Sequence, residues 1–130
     1  SEAQRRPGMT GPYMLELLER RLDNIVYRLN FADSRSQARQ IVRHGHIIVN
    51  GRKVDIPSYR VKPEDVIGWK ETSKKTGIYN QIVADIPKRA LPNWISLNQT
   101  DMTGTVLSLP EPTDIDTAVE MRLIVEHYAR

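Results

Sequence analysis

The chain has no cysteine, a single phenylalanine and only three histidines, and it holds no apolar run near the roughly 20 residues a membrane span requires. Without cysteine there is no disulfide framework, no thiolate metal site and no thiol nucleophile. His44, His46 and His127 are too few for a histidine-only metal centre, so neither metal nor cofactor is expected. Aromatic residues make up 6% of the chain, and only Tyr59 lies near the basic stretch described below, which argues against a platform that stacks single-stranded bases. No glycine-rich phosphate loop, Ser/His/Asp set or carboxylate pair can be assembled, so no catalytic residue is expected. The N-terminus carries no apolar signal segment, and a cytoplasmic location fits. At 130 residues the chain suits one domain, or a small domain with an appendage.

What is present is charge, unevenly placed. Residues 1–60 carry 11 Lys or Arg against 6 Asp or Glu, residues 61–90 carry 6 against 4, and residues 91–130 carry 2 against 6. The net charge of +3 therefore hides blocks of +5, +2 and −4. Cations pooled in one half point to a polyanionic partner, although a merely solvated basic face has the same composition.

The most informative stretch is Ser34 to Val54. Ser34 with Gln37 three residues on is a capping-box pattern that starts a helix, and Gly45 supplies the left-handed residue that stops one. At about 100° per residue, Ala38, Ile41 and Val42 share one arc that docks on a core. The other arc carries Arg35, Arg39 and Arg43 at i, i+4 and i+8, with Ser36, Gln40 and His44 beside them. Like charges at that spacing repel by a few tenths of a kcal/mol, so their repetition suggests an anionic partner. Asn50-Gly51 predicts a type I′ hairpin in which Val49 faces Arg52 and Ile48 faces Lys53. Ile47, Val49 and Val54 then point inward, leaving Lys53 outward and Arg52 near the rim beside the basic helix.

Elsewhere the pattern is plainer. Residues 1–11 have no apolar period and read as a flexible lead-in. Leu15, Leu18, Leu22, Ile25, Val26 and Leu29 predict one long helix from about Pro12 to Asn30, with Arg21 and Arg28 on a flank that extends the positive surface. Residues 56–61 read as extended around Pro57, Pro63-Glu64-Asp65 as a turn, and residues 66–70 as a strand. After a polar junction at 70–75, a helix is expected over 76–84, short strands at 94–97 and 105–109, and a helix at 121–128, where the period is also compatible with a strand. The fold class is thus α+β, with a lead-in at 1–11, a compact basic unit at 12–72 and a C-terminal lobe at 73–130. The acidic lobe does not look self-sufficient.

Arg21-Leu22-Asp23 invites comparison with the catalytic aspartate motif of pseudouridine synthases. Glu19 stands where that motif needs glycine, and Asp23 would sit in mid-helix, a local partner for an arginine. An RNA-binding portion of such an rRNA-modifying enzyme is the alternative reading. Arginine forks suit phosphate oxygens, and the helix start at Ser34 to Gln37 adds amides and dipole. The scarcity of aromatics favours reading the backbone and shape of folded RNA.

Arg21-Leu22-Asp23, the run Ser34 to Gln40, His44-Gly45-His46, Val49-Asn50-Gly51, Pro57-Ser58-Tyr59 and Val61-Lys62-Pro63 together resemble the family of small-subunit ribosomal protein four of bacteria and organelles. Residues 19–70 resemble its alpha-L RNA-binding motif, which other RNA-binding proteins share. Arg5 to Gly11, Trp94 to Leu97 and Leu123 to Arg130 are similar to the ribosomal family in particular. The resemblance implies two helices on a small, mainly antiparallel sheet, and a structural protein of the small ribosomal subunit, not an enzyme. It would bind small-subunit rRNA at a helical junction and nucleate assembly in the ribosome of a bacterial cytoplasm or an organelle. It also implies neighbouring small-subunit proteins as partners and, in some members, the protein's own mRNA. The RNA-binding residues carried over are Arg21, Ser34, Arg35, Ser36, Arg39, Gln40, Arg43, His44, His46, Asn50, Arg52 and Lys53. The family is longer at its N-terminus, where some members hold a zinc site, and that segment packs on the C-terminal lobe. This chain is therefore expected to be a C-terminal piece with an exposed apolar patch near Trp94 or the last helix.

Overall fold

The computed structural model describes residues 12–85 and 89–110; the expected lead-in at 1–11 and helix at 121–128 lie outside them. Helix α1 spans Pro12–Glu19, α2 Leu22–Arg28 and α3 Arg35–Arg43. Strands β1 (Ile47–Val49), β2 (Arg52–Lys53) and β3 (Val66–Trp69) follow, then a 3-10 turn at Glu71–Lys75, α4 (Gly77–Ala84), β4 (Ile95–Asn98) and β5 (Thr103–Val106). The five strands form one antiparallel sheet in the order β2-β1-β3-β5-β4. This is the expected α+β arrangement.

The core lies between the helices and the sheet. Leu22, Ile25 and Val26 of α2, Leu29 at its C-cap, and Ala38, Ile41 and Val42 of α3 are buried, together with Ile47, Val49, Ile67, Trp69, Ile95 and Val106 of the sheet. Each large aliphatic side chain so buried stabilises the fold by about 1.5–3 kcal/mol. Trp69 anchors the aromatic part, 5.9 Å from Phe31 and 5.1 Å edge-on to Tyr79 by ring centroids.

The single helix predicted over 12–30 is broken. Arg21 is extended, with φ −63° and ψ 141°, and bridges antiparallel to Arg60. Leu22 N–H donates to Tyr59 O at 2.7 Å, Val61 N–H to Arg20 O at 2.9 Å, and Arg20 Nε to Val61 O at 3.1 Å. Bonds from a segment some forty residues away replace those of a continuous helix. Asp23 consequently stands in the first turn of α2, where a helix start favours a carboxylate, and not in mid-helix. The segment expected to be extended over 56–61 instead closes a turn, Tyr59 N–H donating to Ile56 O at 3.1 Å, before reaching that bridge.

The break creates a polar junction among the three helices. Glu19, 2% exposed, accepts from Arg28 Nη2 at 2.9 Å and from Asn24 Nδ2 at 2.9 Å. Asn24 Oδ1 in turn accepts from Arg35 Nη1. A buried carboxylate is tolerated here because its charge and lone pairs are answered.

β5 inserts between β3 and β4, so strands from both sides of residue 72 share one sheet. Trp94 itself is buried at 2% exposure, whereas Leu91 and Leu107 near it are exposed; the last helix, the other expected place for an apolar patch, lies outside the described residues. Its carbonyl accepts from Leu107 N–H at 2.8 Å, fixing it to the chain leaving β5. Gly104 of β5 is the point where α2 meets the sheet: a Cβ there would lie 2.4 Å from Leu29 Cδ2. Only glycine permits that approach.

Candidate nucleic-acid interface

Helix α3 starts and stops as its sequence dictates. Ser34 Oγ accepts from Gln37 N–H at 3.1 Å, while Gln37 Oε1 accepts from Asp33 N–H. At the other end Gly45 has φ +79°, with Gly45 N–H donating to Val42 O at 3.0 Å and His46 N–H to Ile41 O at 3.3 Å. These paired bonds are the Schellman closure, and they turn the chain directly into β1. Asn50 (φ 53°) and Gly51 (φ 83°) then form the hairpin turn, with Val49 opposite Arg52 and Ile48 opposite Lys53 as predicted. Asn50 holds this turn from inside: Nδ2 donates to Asp65 Oδ1 and Oδ1 accepts from Val66 N–H, both at 2.9 Å.

The outer face of α3 is a groove of about 470 Å3 lined by Ser36, Arg39, Gln40, Arg43 and His44. Among the described residues, Arg39 and Arg43 have no ion-pair partner, and Arg52 and Lys53 of β2 are likewise unpaired and exposed. Lys53 reaches back toward the groove's lower end, where a side chain on Gly45 would meet its Cδ at 3.3 Å. The closure and the hairpin thus bring Lys53 of β2 back beside the end of α3. Unpaired guanidinium and ammonium groups around a polar groove attract and fork onto anionic oxygens.

Other residues expected at the interface are committed to the fold. Arg21 Nε and Nη2 donate to Asp23 at 3.2 and 3.3 Å, the Asp23 side chain being 2% exposed. Arg28, expected on the same positive flank, is paired with Glu19 at 2.9 Å. Arg35 bonds Asn24 and lies 4.6 Å from the Tyr27 ring centroid, turned away from Arg39 and Arg43. The Ser34 hydroxyl is a cap and the Asn50 amide a turn brace.

His46 has an intermediate position. Its Nδ1 lies 2.8 Å from Ser73 Oγ, and its ring centroid is 6.3 Å from Trp69 and 6.4 Å from His44. Burial, then the nearby His44 and Lys70, hold its pKa below the ordinary histidine value. Lys70 is an exposed cation that sequence reasoning did not include, and its N–H donates to His46 O at 2.8 Å. The signal was pairing: with Ile47 opposite Trp69, the next residue along falls opposite His46.

The S4 domain family matches residues 20–67, which span α2, α3, the hairpin and the first half of β3. Small ribosomal subunit protein uS4 of Persephonella marina is 49% identical over 128 residues, covering 98% of this chain and 62% of that protein. The uS4 protein of Chloroflexus aurantiacus is 48% identical over 131 residues, 99% of this chain and 64% of its own length. The uS4A protein of Symbiobacterium thermophilum is 50% identical over 128 residues, 98% and 61%. This chain therefore spans a little under two thirds of the length of these relatives. Its alignment leaves almost none of its own residues unmatched, and the chain belongs to the uS4 family, with an S4 domain at residues 20–67.

Proposed function

We propose that the chain is a structural component of the small ribosomal subunit that binds small-subunit rRNA directly through the face built by α3 and β2, and that it helps nucleate assembly there. The observation that carries this is the groove itself: Arg39 and Arg43, unpaired among the described residues, line it with Ser36, Gln40 and His44, and Lys53 reaches back toward its end. Guanidinium groups at i and i+4 stand about 5–6 Å apart at their Cβ atoms, a spacing that lets them track a phosphate backbone. Ser36, Gln40, His44 and His46 supply neutral contacts to phosphate and sugar. Arg21, Ser34, Arg35 and Asn50 serve the interface by holding its frame. The RNA-binding unit is residues 12–72, and its partners are rRNA and neighbouring small-subunit proteins in the ribosome, with the protein's own mRNA as a further RNA target. No step of chemistry is assigned to it.

The test is a titration of the 130-residue chain against a small-subunit rRNA junction fragment and an unrelated RNA of equal length, each at several salt concentrations. Preference for the junction that persists at high salt supports the proposal; equal binding that collapses with salt refutes shape-specific recognition by this chain. Replacing both Arg39 and Arg43 by Ala should flatten the salt dependence by about one counterion per lost phosphate contact. An unchanged slope would remove those arginines from the interface.

A further inference from the structure

Two serine–glutamine pairs lie on or beside α3, and the structure treats them oppositely. Ser34 and Gln37 are spent on the helix start, each accepting a backbone N–H. Ser36 and Gln40, on the outer face, line the groove, are exposed, and have no hydrogen-bond partner among the described residues. A hydroxyl and a carboxamide both donate and accept, whereas the flanking Arg39 and Arg43 only donate. A phosphate oxygen accepts only. The arginines are therefore sufficient for phosphate, and the groups between them match a ligand that donates and accepts at one atom.

From this juxtaposition, and resting on the RNA-binding reading above, we infer that Ser36 and Gln40 form a subsite for a ribose 2′-hydroxyl, so that α3 distinguishes RNA from a backbone lacking that group. The 2′-hydroxyl is both donor and acceptor, and it is the atom by which a protein tells RNA from DNA. A groove open along one side admits a sugar edge while the guanidinium groups hold its adjacent phosphates. Gln40 lies between Arg39 and Arg43 in sequence and shares their groove, so its amide is placed to read the sugar between two held phosphates. Ser36 lines the same groove on the helix-start side of Arg39.

The test compares the junction RNA with the same RNA carrying 2′-fluoro in place of 2′-hydroxyl, which keeps an A-form duplex but removes the donor. The wild-type chain should bind the hydroxyl form about fivefold more tightly, the scale of one net hydrogen bond. Ser36→Ala with Gln40→Ala should bring that ratio close to one while leaving the salt slope unchanged. Arg39→Ala should do the reverse, lowering the slope by about one and keeping the ratio. An unfolding midpoint measured for each variant checks that it is folded. A wild-type ratio of one, or a ratio that survives the double substitution, overturns the inference while RNA binding stands. Failure of the wild-type chain to prefer the junction RNA over the unrelated one overturns the underlying reading instead.

Discussion

Arg89 lies over Tyr27, its guanidinium carbon 4.0 Å from the ring centroid, and its Nη2 donates to Tyr27 O at 2.8 Å and Ala32 O at 2.6 Å. Its own carbonyl accepts from Asn30 Nδ2 at 3.0 Å. One side chain from beyond α4 thereby closes the corner between α2 and α3, bonding one carbonyl of α2 and one of the connector that follows it. Arg89→Ala should cost about 2–3 kcal/mol, since hydrogen bonds from a charged group are worth more than neutral ones. Urea unfolding measures it, and a loss under about 0.5 kcal/mol, the usual range for a bland surface change, would show that the clamp is ornamental.

Gly104 should tolerate no side chain. Leu29 is fully buried and already occupies the space, its Cδ atoms 2.4 and 2.5 Å from where a Cβ would stand. Gly104→Ala is expected to destabilise by about 1–3 kcal/mol through overpacking. The paired change Leu29→Val with Gly104→Ala should recover part of it. Thermal unfolding of the three variants decides; additive losses would mean that the two positions do not compete for one volume.

Arg35 and Arg39 sit one helical turn apart and should behave as different residues. Arg35→Ala removes a hydrogen bond to Asn24 and contact with the Tyr27 ring, so stability falls by about 1–2 kcal/mol. Arg39→Ala leaves stability within about 0.5 kcal/mol, and its effect is on the salt dependence of RNA binding. The expected contrast would be lost if both variants lowered the salt slope equally at unchanged stability.

His46 makes stability depend on pH in a definite direction. Its folded pKa is lowered by burial, His44 and Lys70, so the unfolded chain takes up the proton first as pH falls. The stabilisation is complete above the unfolded value near 6.5 and declines as pH falls from there through the folded pKa. Denaturant midpoints at pH 7.5 and 5.5 should differ more for the wild type than for His46→Asn. An identical pH response in both would exclude His46 as the source.

What the sequence disclosed about this fold is what local chemistry decides. Ser34 and Gly45 bound α3 as read, Asn50-Gly51 makes the predicted turn, and the apolar arc of α3 is buried. The break at Arg20 and Arg21 was illegible because leucine spacing is consistent with one helix. Only the partners at Tyr59 and Val61 decide otherwise. Helical period likewise set Arg35 beside Arg39 and Arg43, but Asn24 and Tyr27 draw it inward. Arg89 stands next to a proline-containing stretch and carries no local signal; its role exists only once α2 and α3 have met. The groove was legible as charge, and its division into committed and uncommitted polar groups was not.

The insertion of β5 between β3 and β4 also orders events during synthesis. β3 has its first neighbour, β1, as soon as Trp69 is made, but its other edge stays open until Thr103 to Val106 emerge. At about 5–20 residues per second, that wait is roughly two to seven seconds. The α3–hairpin face needs nothing made after β3 to be built from its own residues. A nascent chain would thus display its cationic surface while one side of its sheet is still an unsatisfied ladder, and translation speed over residues 70–106 sets how long that edge stays exposed to another chain.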